Sequence, residues 1–143
     1  MNPLKPAPSS ELNQLLKSVK VIAIIGCSSN PYRTSNHIAE YLINAGFDVI
    51  PVNPNETEVF GLTCYPTLGD VPEDKFIDLI NIFRNRRYSL ETVQEIIKWS
   101  DQSGQKPVIW TQLDVSTDEA KDLARTNGLE YVENRCIMVE HRR

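Results

Sequence analysis

Small, polar and basic residues follow a short apolar run near the start of the chain. The run at residues 21–25 stops at Gly26, and the hydroxyl and amide side chains of residues 28–30 come soon after it. Glycine lets the backbone turn tightly, and hydroxyl, amide and backbone N–H groups at the beginning of a helix bind anions. Arg33 adds a guanidinium that can bind a phosphate through two parallel hydrogen bonds. The stretch therefore predicts a phosphate-binding loop.

The elements that must position this loop follow from the alternation of apolar runs with amphipathic segments. Strands are expected at residues 20–25, 47–52, 76–83, 107–111 and 129–132. Helices are expected at residues 10–18, 35–45, 89–103 and 116–127. Right-handed crossovers between such units predict an α/β, doubly wound, mainly parallel five-stranded sheet of the Rossmann-like type. The expected strand order is 3-2-1-4-5, with helices on both faces.

In sheets of this kind a ligand lies beyond the carboxyl ends of the strands, where the strand order reverses. The expected order places that point between the first and fourth strands. The segments expected to meet there are residues 26–33, 53–54, 83–87 and 111–112. They share hydrogen-bond donors, positive charge and flat surfaces, and Pro54 stiffens a loop against which an adenine ring could lie. This combination predicts a nucleotide-like ligand.

The end of the second expected strand bears on which nucleotide is bound. Sites for NAD usually place an Asp or Glu there, on the ribose hydroxyls, whereas this chain has Asn53. The glycine turn at residues 26–31 also lacks the full G-x-G-x-x-G pattern. An amide near arginines tolerates an extra phosphate on the ribose, which an acid would repel. The residues thus favour a phosphorylated ribose over NAD.

Length and composition limit the class of protein. A chain of 143 residues is expected to form one domain over residues 1–143, with residues 1–9 flexible. No apolar run approaches the roughly 20 residues of a membrane span, and the polar, proline-rich start does not resemble a secretion signal. The net charge of −4 counts against bulk affinity for nucleic acid. We therefore expect a cytoplasmic protein that binds neither nucleic acid nor membrane.

The cysteines and histidines indicate neither a metal site nor a catalytic centre. Cys27, Cys64 and Cys136 are odd in number and form no Cys-x-x-Cys pair. His37 and His141 are too few for a clear metal cluster. Cys27 is expected to be a small packing residue in preference to a reactive thiol. No nucleophile stands at a recognisable spacing from a base, so no residue is assigned a catalytic role.

Six short segments occur in an order that belongs to a known family. They are residues 25–28 with Pro31 and Arg33, residues 49–54, residues 61–66, residues 83–84, residues 110–112 and residues 134–136. In this combination the chain resembles the small stand-alone CoA-binding proteins. These are similar to the N-terminal CoA-binding, Rossmann-like domain of the succinyl-CoA synthetase alpha subunit. The resemblance covers nearly all of residues 16–141.

The resemblance implies coenzyme A as the cofactor and assigns its contacts residue by residue. The implied contacts are Gly26, Cys27, Ser28, Arg33, Val52, Asn53, Pro54, Phe83, Arg84, Arg86, Gln112, Asn134, Arg135 and Cys136. Ser28 and Arg33 would contact phosphates, and residues 52–54 would shape the adenine and ribose pocket. A further wall would be formed by Phe83, Arg84 and Arg86. Gln112 and residues 134–136 would lie beside the pantetheine path.

The chain departs from the pattern of the family at one position. Many members carry a glycine two residues after the glutamine, whereas this chain has Asp114. A close approach of the ligand to the backbone is less certain with a side chain there. A carboxylate near a pyrophosphate would also be unfavourable unless it pointed outward.

Three functional hypotheses follow. The first is a non-catalytic CoA or acyl-CoA binding protein, acting as a carrier, a sensor or an accessory subunit, because no second domain brings a reaction partner to the thiol. A protein partner or a homodimer remains open under this hypothesis. The second is an NAD(H)-binding module of a small oxidoreductase or redox sensor, since the fold alone does not fix the ligand. The third is an interaction domain whose cleft binds no nucleotide.

Overall fold

A five-stranded parallel sheet with helices on both faces forms the centre of the computed structural model, which describes residues 7–143. The strands of this sheet are β1 (Val21–Ile25), β2 (Asp48–Val52), β5 (Leu79–Ile82), β6 (Val108–Thr111) and β7 (Tyr131–Val132). The helices are α1 (Ser9–Ser18), α2 (Thr34–Asn44), α3 (Ser89–Ser103), α4 (Asp118–Thr126) and α5 (Ile137–Arg142). The predicted α/β Rossmann-like fold is confirmed. The flexibility expected for residues 1–9 stays a prediction, since residues 1–6 lie outside the described residues.

Alternate residues of β1 show how the two helical layers form. Ile22 and Ile24 point into a core shared with α1, α2 and α5, whereas Ala23 and Ile25 point into a core shared with α3 and α4. A strand buried on both faces needs a continuous apolar run, because successive side chains alternate between the faces. The sequence of β1 meets that need, and the strand therefore occupies the middle of the sheet.

The sheet has the order β2-β1-β5-β6-β7. In this order the predicted third strand, which contains β5, has a different position from the expected one. The segment at residues 76–83 was expected beyond β2, but β5 pairs directly with β1. The outer place beside β2 is taken by a single parallel bridge between Val52 and Tyr65. With this bridge counted as a third strand in chain order, the order along the sheet becomes 3-2-1-4-5-6. All four residues of β5 are buried, which suits a central strand better than an edge strand.

A short hairpin lies within the segment that was expected to be a plain loop. Its strands are β3 (Glu58–Val59) and β4 (Leu62–Thr63), which pair antiparallel. The two turn residues, Phe60 and Gly61, both have positive φ angles, of 53° and 76°. Two positive φ angles are typical of the tight turns that join hairpin strands. The hairpin leads the chain from β2 to the bridge at Tyr65.

The C-terminal helix α5, which the sequence did not predict, is held by polar contacts. Asn13 of α1 donates from Nδ2 to the carbonyl oxygens of Glu140, His141 and Arg143, each at 3.1 Å. These are carbonyls that a helix end leaves without partners. Glu140 is only 3 % exposed and accepts hydrogen bonds from Arg135 and Arg143. Among the described residues, every helix is too short or too polar to span a lipid bilayer.

Candidate functional site

Two adjoining clefts lie beyond the carboxyl ends of β1 and β5, where the strand order reverses. The main cleft, of about 540 Å³, is lined by Gly26, Ser28, Tyr32, Arg33, Thr34, Ser35, Asn53, Asn55, Glu56 and Phe83. The side cleft, of about 380 Å³, is lined by Thr34, Phe83, Arg84, Gln112, Leu113, Asp114 and Val115. The segments that the sequence analysis expected to converge are therefore brought together. Thr34 and Phe83 form the boundary between the two clefts.

Gly26 allows the loop after β1 to pass close to the end of β5. Its φ angle is +87°, and a Cβ atom added there would collide with the carbonyl oxygen of Phe83. Its N–H donates to the carbonyl oxygen of Val52, at 2.8 Å. Any side chain would strain the backbone and push β1 away from β5. The main cleft therefore depends on a glycine at this position.

Hydrogen bonds between residues close in sequence stabilise the loop between Gly26 and α2. Ser28 Oγ accepts from the Asn30 N–H at 3.0 Å, and Asn30 Oδ1 accepts from the Tyr32 N–H at 2.9 Å. Ser35 Oγ accepts from the Ser28 N–H at 3.1 Å. Within residues 7–143, the N–H groups of Thr34 and Ser35 have no acceptor. The N-terminus of α2 thus offers free donors and the positive end of its dipole to the main cleft.

Arg33 stands directly before α2 and lines the main cleft. Its side chain is exposed, and no carboxylate of the described residues lies within ion-pair distance of it. A guanidinium beside free helix N–H groups forms a donor set suited to phosphate oxygens. The structure therefore places Arg33 where the sequence analysis expected a phosphate contact.

The residues after β2 are partly engaged within the protein. Asn53 Nδ2 donates to the carbonyl oxygen of Cys27 at 3.0 Å, and Asn53 Oδ1 accepts from the Asn55 N–H at 2.9 Å. Asn53 thus lines the main cleft while it ties the loop after β1 to the loop after β2. Val52 is 3 % exposed and belongs to the core. Pro54 is exposed and is not among the lining residues.

Glu56 is a lining residue that the sequence analysis missed. It lies in the main cleft, because the chain turns back at residues 53–56 and the Glu56 N–H reaches the carbonyl oxygen of Asn53 at 3.3 Å. Asn53, directly after β2, is the residue whose lack of charge counts against NAD. A carboxylate is nevertheless present in the cleft, four residues beyond that strand. The proline and asparagine at positions 54 and 55 were the available signal for this turn.

The side chain of Cys27 does not reach either cleft, in contrast to its assignment as a cofactor contact. It is fully buried in the core formed with α1 and α2. Burial raises the pKa of the Cys27 thiol to about 12, and the nearby Cys64 and Glu56 add to the shift. A thiol with this pKa stays protonated at neutral pH and is a poor nucleophile. The alternative expectation for Cys27, a packing residue, agrees with this position.

Burial of Cys27 makes a prediction about stability at high pH. Above its ordinary pKa of 9.0 the unfolded thiol loses its proton, while the folded thiol keeps it up to about pH 12. The unfolded state then binds fewer protons, so the free energy of unfolding falls by about 1.4 kcal/mol per pH unit from this group. Urea unfolding under reducing conditions at pH 8 to 11 should show a shallower decline for Cys27→Ala. Equal slopes in both proteins would refute the assignment.

Arg84 and Gln112 both line the side cleft. Arg84 Nη1 donates to Thr92 Oγ1 at 3.0 Å, and the guanidinium carbon lies 4.8 Å from the centre of the Tyr88 ring. Gln112 is only 6 % exposed, and its Oε1 accepts from the Ile137 N–H at 3.4 Å. Its amide nitrogen has no acceptor within residues 7–143. The side cleft therefore presents one cation and one free amide donor.

Asp114 lies in the side cleft in a left-handed backbone conformation. Its φ angle is +62°, in the left-handed region that glycine adopts without strain. Asn134 Oδ1 accepts from the Asp114 N–H at 2.9 Å and so supports the turn. The Asp114 side chain is 93 % exposed and lies 3.9 Å from Arg86 Nη2. The carboxylate points outward, and Arg86 lies outside the lining of both clefts.

Arg135 and Cys136 do not line the clefts either. Arg135 Nη2 donates to the carbonyl oxygen of Ala7 at 2.9 Å, and Arg135 Nη1 lies 3.3 Å from Glu140 Oε1. This guanidinium is committed to the contact between the N-terminal segment and α5. Cys136 is half-buried and packs against the core on the α1 side. Of residues 134–136, Asn134 is linked to the side cleft through its hydrogen bond to the Asp114 N–H.

The fold and the two clefts define a Rossmann-like α/β domain with its candidate site at the reversal point of the sheet. A family model described as CoA binding domain matches residues 20–142. The chain therefore belongs to the CoA-binding domain family, which confirms the resemblance found in the sequence. An uncharacterized protein of Bacillus subtilis (strain 168), YneT, is 33% identical over 132 residues, which are 92% of this chain and 93% of that protein.

Solved structures with the same fold include proteins of very different length. A hypothetical protein from Pyrococcus horikoshii OT3 is 35% identical, with a TM-score of 0.86 over 99% of this chain and 97% of that one. The dinucleotide forming acetyl-coenzyme A synthetase 1 of Ca. Korarchaeum cryptofilum is 24% identical, with a TM-score of 0.62 over 80% of this chain and 26% of that one. The second likeness concerns the fold alone. The same fold thus occurs in short chains and as one part of a much larger synthetase.

Proposed function

We propose that this protein binds coenzyme A, or an acyl thioester of it, in the main and side clefts and does no chemistry by itself. The observation that carries the proposal is the donor set of the main cleft in a chain of the CoA-binding family. Among the described residues, Arg33 has no ion pair and the N–H groups of Thr34 and Ser35 have no acceptor. Both kinds of donor lie at the reversal point of the sheet, where ligands of such folds bind.

The chemistry of the two clefts fits the two ends of coenzyme A. Its phosphates require cationic and N–H donors, which Arg33, Thr34 and Ser35 supply in the main cleft. Its pantetheine arm is a chain of amides and short apolar segments. The side cleft offers the free amide nitrogen of Gln112 beside the apolar side chain of Phe83. Phe83 borders both clefts, so one extended ligand can occupy them together.

A role without catalysis agrees with the nucleophiles present. Cys27 is buried, and burial raises its pKa to about 12. No residue of the two linings forms a nucleophile and base pair in the described part of the chain. The protein would then act in the cytoplasm as a carrier, a sensor or an accessory subunit that lends its bound cofactor to a partner.

NAD(H) binding is the second candidate because Glu56 lies in the main cleft. A carboxylate after the second strand of such a sheet can accept hydrogen bonds from ribose hydroxyls. The same carboxylate is unfavourable near a ribose phosphate unless Arg33 compensates its charge. Glu56 therefore favours NAD(H), whereas Arg33 favours coenzyme A, and the measured affinities for the two cofactors decide between them.

Thermal unfolding with each nucleotide tests the proposal. A ligand present at 100 times its Kd stabilises the folded state by about 2.7 kcal/mol, which is several degrees of Tm for a domain of this size. We expect coenzyme A to raise Tm by this amount and NADH to leave it unchanged. Dephospho-CoA, which lacks only the ribose phosphate, should give a smaller shift. A response to NADH alone would establish the second candidate, and no response to any nucleotide would indicate an interaction domain.

A further inference from the structure

Arg84 is a half-buried cation without an anionic partner. Its guanidinium is held by Thr92 Oγ1 at 3.0 Å and by the ring of Tyr88 at 4.8 Å. Within residues 7–143, no carboxylate lies within ion-pair distance of it. Both contacts fix the orientation of the side chain and leave its charge uncompensated. A charged group that is partly removed from water is stabilised by an anion, and none is supplied from within the described chain.

The rest of the side cleft is suited to a short apolar group with a carbonyl oxygen. Phe83, Leu113 and Val115 provide apolar surface, and Leu113 is 57 % exposed although it is a large hydrophobic residue. Gln112 is only 6 % exposed, and its amide nitrogen has no acceptor among the described residues. This nitrogen is not one of the buried polar atoms without a partner, so it keeps contact with solvent at the cleft. A carbonyl oxygen of a bound ligand would satisfy it.

The phosphates of a bound coenzyme A have other donors in the main cleft. Arg33 and the N–H groups of Thr34 and Ser35 line that cleft, whereas Arg84 lines only the side cleft. Asp114 also lines the side cleft, but its side chain is 93 % exposed and lies 3.9 Å from Arg86 Nη2. Its carboxylate is not within ion-pair distance of Arg84. The cation of the side cleft remains available for the acyl end of the ligand.

We propose that the side cleft selects acyl thioesters of coenzyme A whose short acyl chain ends in a carboxylate. Gln112 Nε2 donates to the thioester carbonyl oxygen, the chain lies along Phe83, Leu113 and Val115, and Arg84 binds the terminal carboxylate. The inference rests on the proposed function, because it requires the rest of coenzyme A in the main cleft. It adds the class of acyl group, which follows from one uncompensated guanidinium in a mainly apolar cleft.

Isothermal titration calorimetry with matched pairs of thioesters tests this inference. Malonyl-CoA is compared with propionyl-CoA, and glutaryl-CoA with pentanoyl-CoA, so that the members of each pair differ in the terminal carboxylate. The wild-type protein should bind the acid of at least one pair tenfold or more tightly than its neutral partner. In Arg84→Gln that ratio should fall to near one. Arg87→Gln is the matched control, since Arg87 lies 4.8 Å from the same Tyr88 ring but lines neither cleft.

Each outcome decides the inference. A preference that Arg84→Gln removes and Arg87→Gln retains supports it. Equal affinity for acid and neutral thioesters in both pairs overturns it, even if coenzyme A itself binds well. A ratio that survives in Arg84→Gln, while every CoA ligand binds more weakly, identifies Arg84 as a phosphate contact and also overturns it. Loss of the ratio in both variants indicates a general charge effect and rejects a specific site. If no CoA compound binds the wild type, both the inference and the proposed function are rejected.

Discussion

Replacement of Gly26 by alanine is expected to lower the free energy of unfolding by about 2 to 5 kcal/mol and to abolish ligand binding. Its φ angle of +87° lies in the left-handed region, which costs a residue with a side chain about 1–2 kcal/mol. The added Cβ would also collide with the carbonyl oxygen of Phe83, and such overpacking costs about 1–3 kcal/mol. Because the collision separates β1 from β5, the main cleft should change shape as well. Urea unfolding and titration with coenzyme A measure the two effects.

Gly104→Ala is the matched control for this experiment. Gly104 has a similar φ angle of +73°, but no atom of residues 7–143 lies within 4 Å of an added Cβ. It should therefore lose only the conformational part of the stability and retain full affinity for coenzyme A. If the two variants lost the same stability, the close approach of Phe83 to Gly26 would have no energetic importance, and the role of Gly26 in the cleft would need revision.

Arg33→Ala is expected to weaken the binding of coenzyme A by about 1.5 to 3 kcal/mol, the usual contribution of a hydrogen bond to a charged group. Arg33 is exposed and has no ion pair within the described residues, so stability should change by less than about 0.5 kcal/mol. Arg33→Lys keeps the charge but loses the bidentate geometry, and an intermediate loss is expected. Isothermal titration calorimetry provides the affinities, and urea unfolding provides the stabilities.

Arg87→Ala tests whether the effect of Arg33 is local. Arg87 is exposed, carries the same charge and lines neither cleft. Its replacement should leave the affinity for coenzyme A within about twofold of the wild type, the change expected from screened charges. If Arg33→Ala bound coenzyme A as well as Arg87→Ala did, Arg33 would not be a phosphate contact.

The parallel core of the fold could be predicted from the sequence because its signals are local. The apolar run of β1 and the glycine after it predict a buried strand and a tight turn from neighbouring residues alone. The position of β5 depends on a non-local choice, namely which segment pairs with β2. The single bridge at Tyr65 takes that place, and one residue leaves no recognisable pattern. Helix α5 was also missed, because its six residues depend on Asn13 and Glu140 for support.

The positions of the cleft-lining residues were predictable where a residue directly follows a strand. Residues that follow directly after a strand, such as Gly26 and Gln112, lie in the clefts as expected. Side-chain direction was not predictable to the same degree. Cys27 turns into the core, and the guanidinium of Arg135 turns towards Ala7, although both stand within matching motifs. Glu56 enters the main cleft through a turn whose geometry the sequence indicated only by its proline and asparagine.

A crystal structure of the protein with saturating coenzyme A tests the central claim most directly. Phosphate oxygens are expected at Arg33 and at the N–H groups of Thr34 and Ser35. The pantetheine arm is expected in the side cleft beside Gln112. A main cleft that stays vacant under these conditions, or coenzyme A bound at another face of the protein, would contradict it.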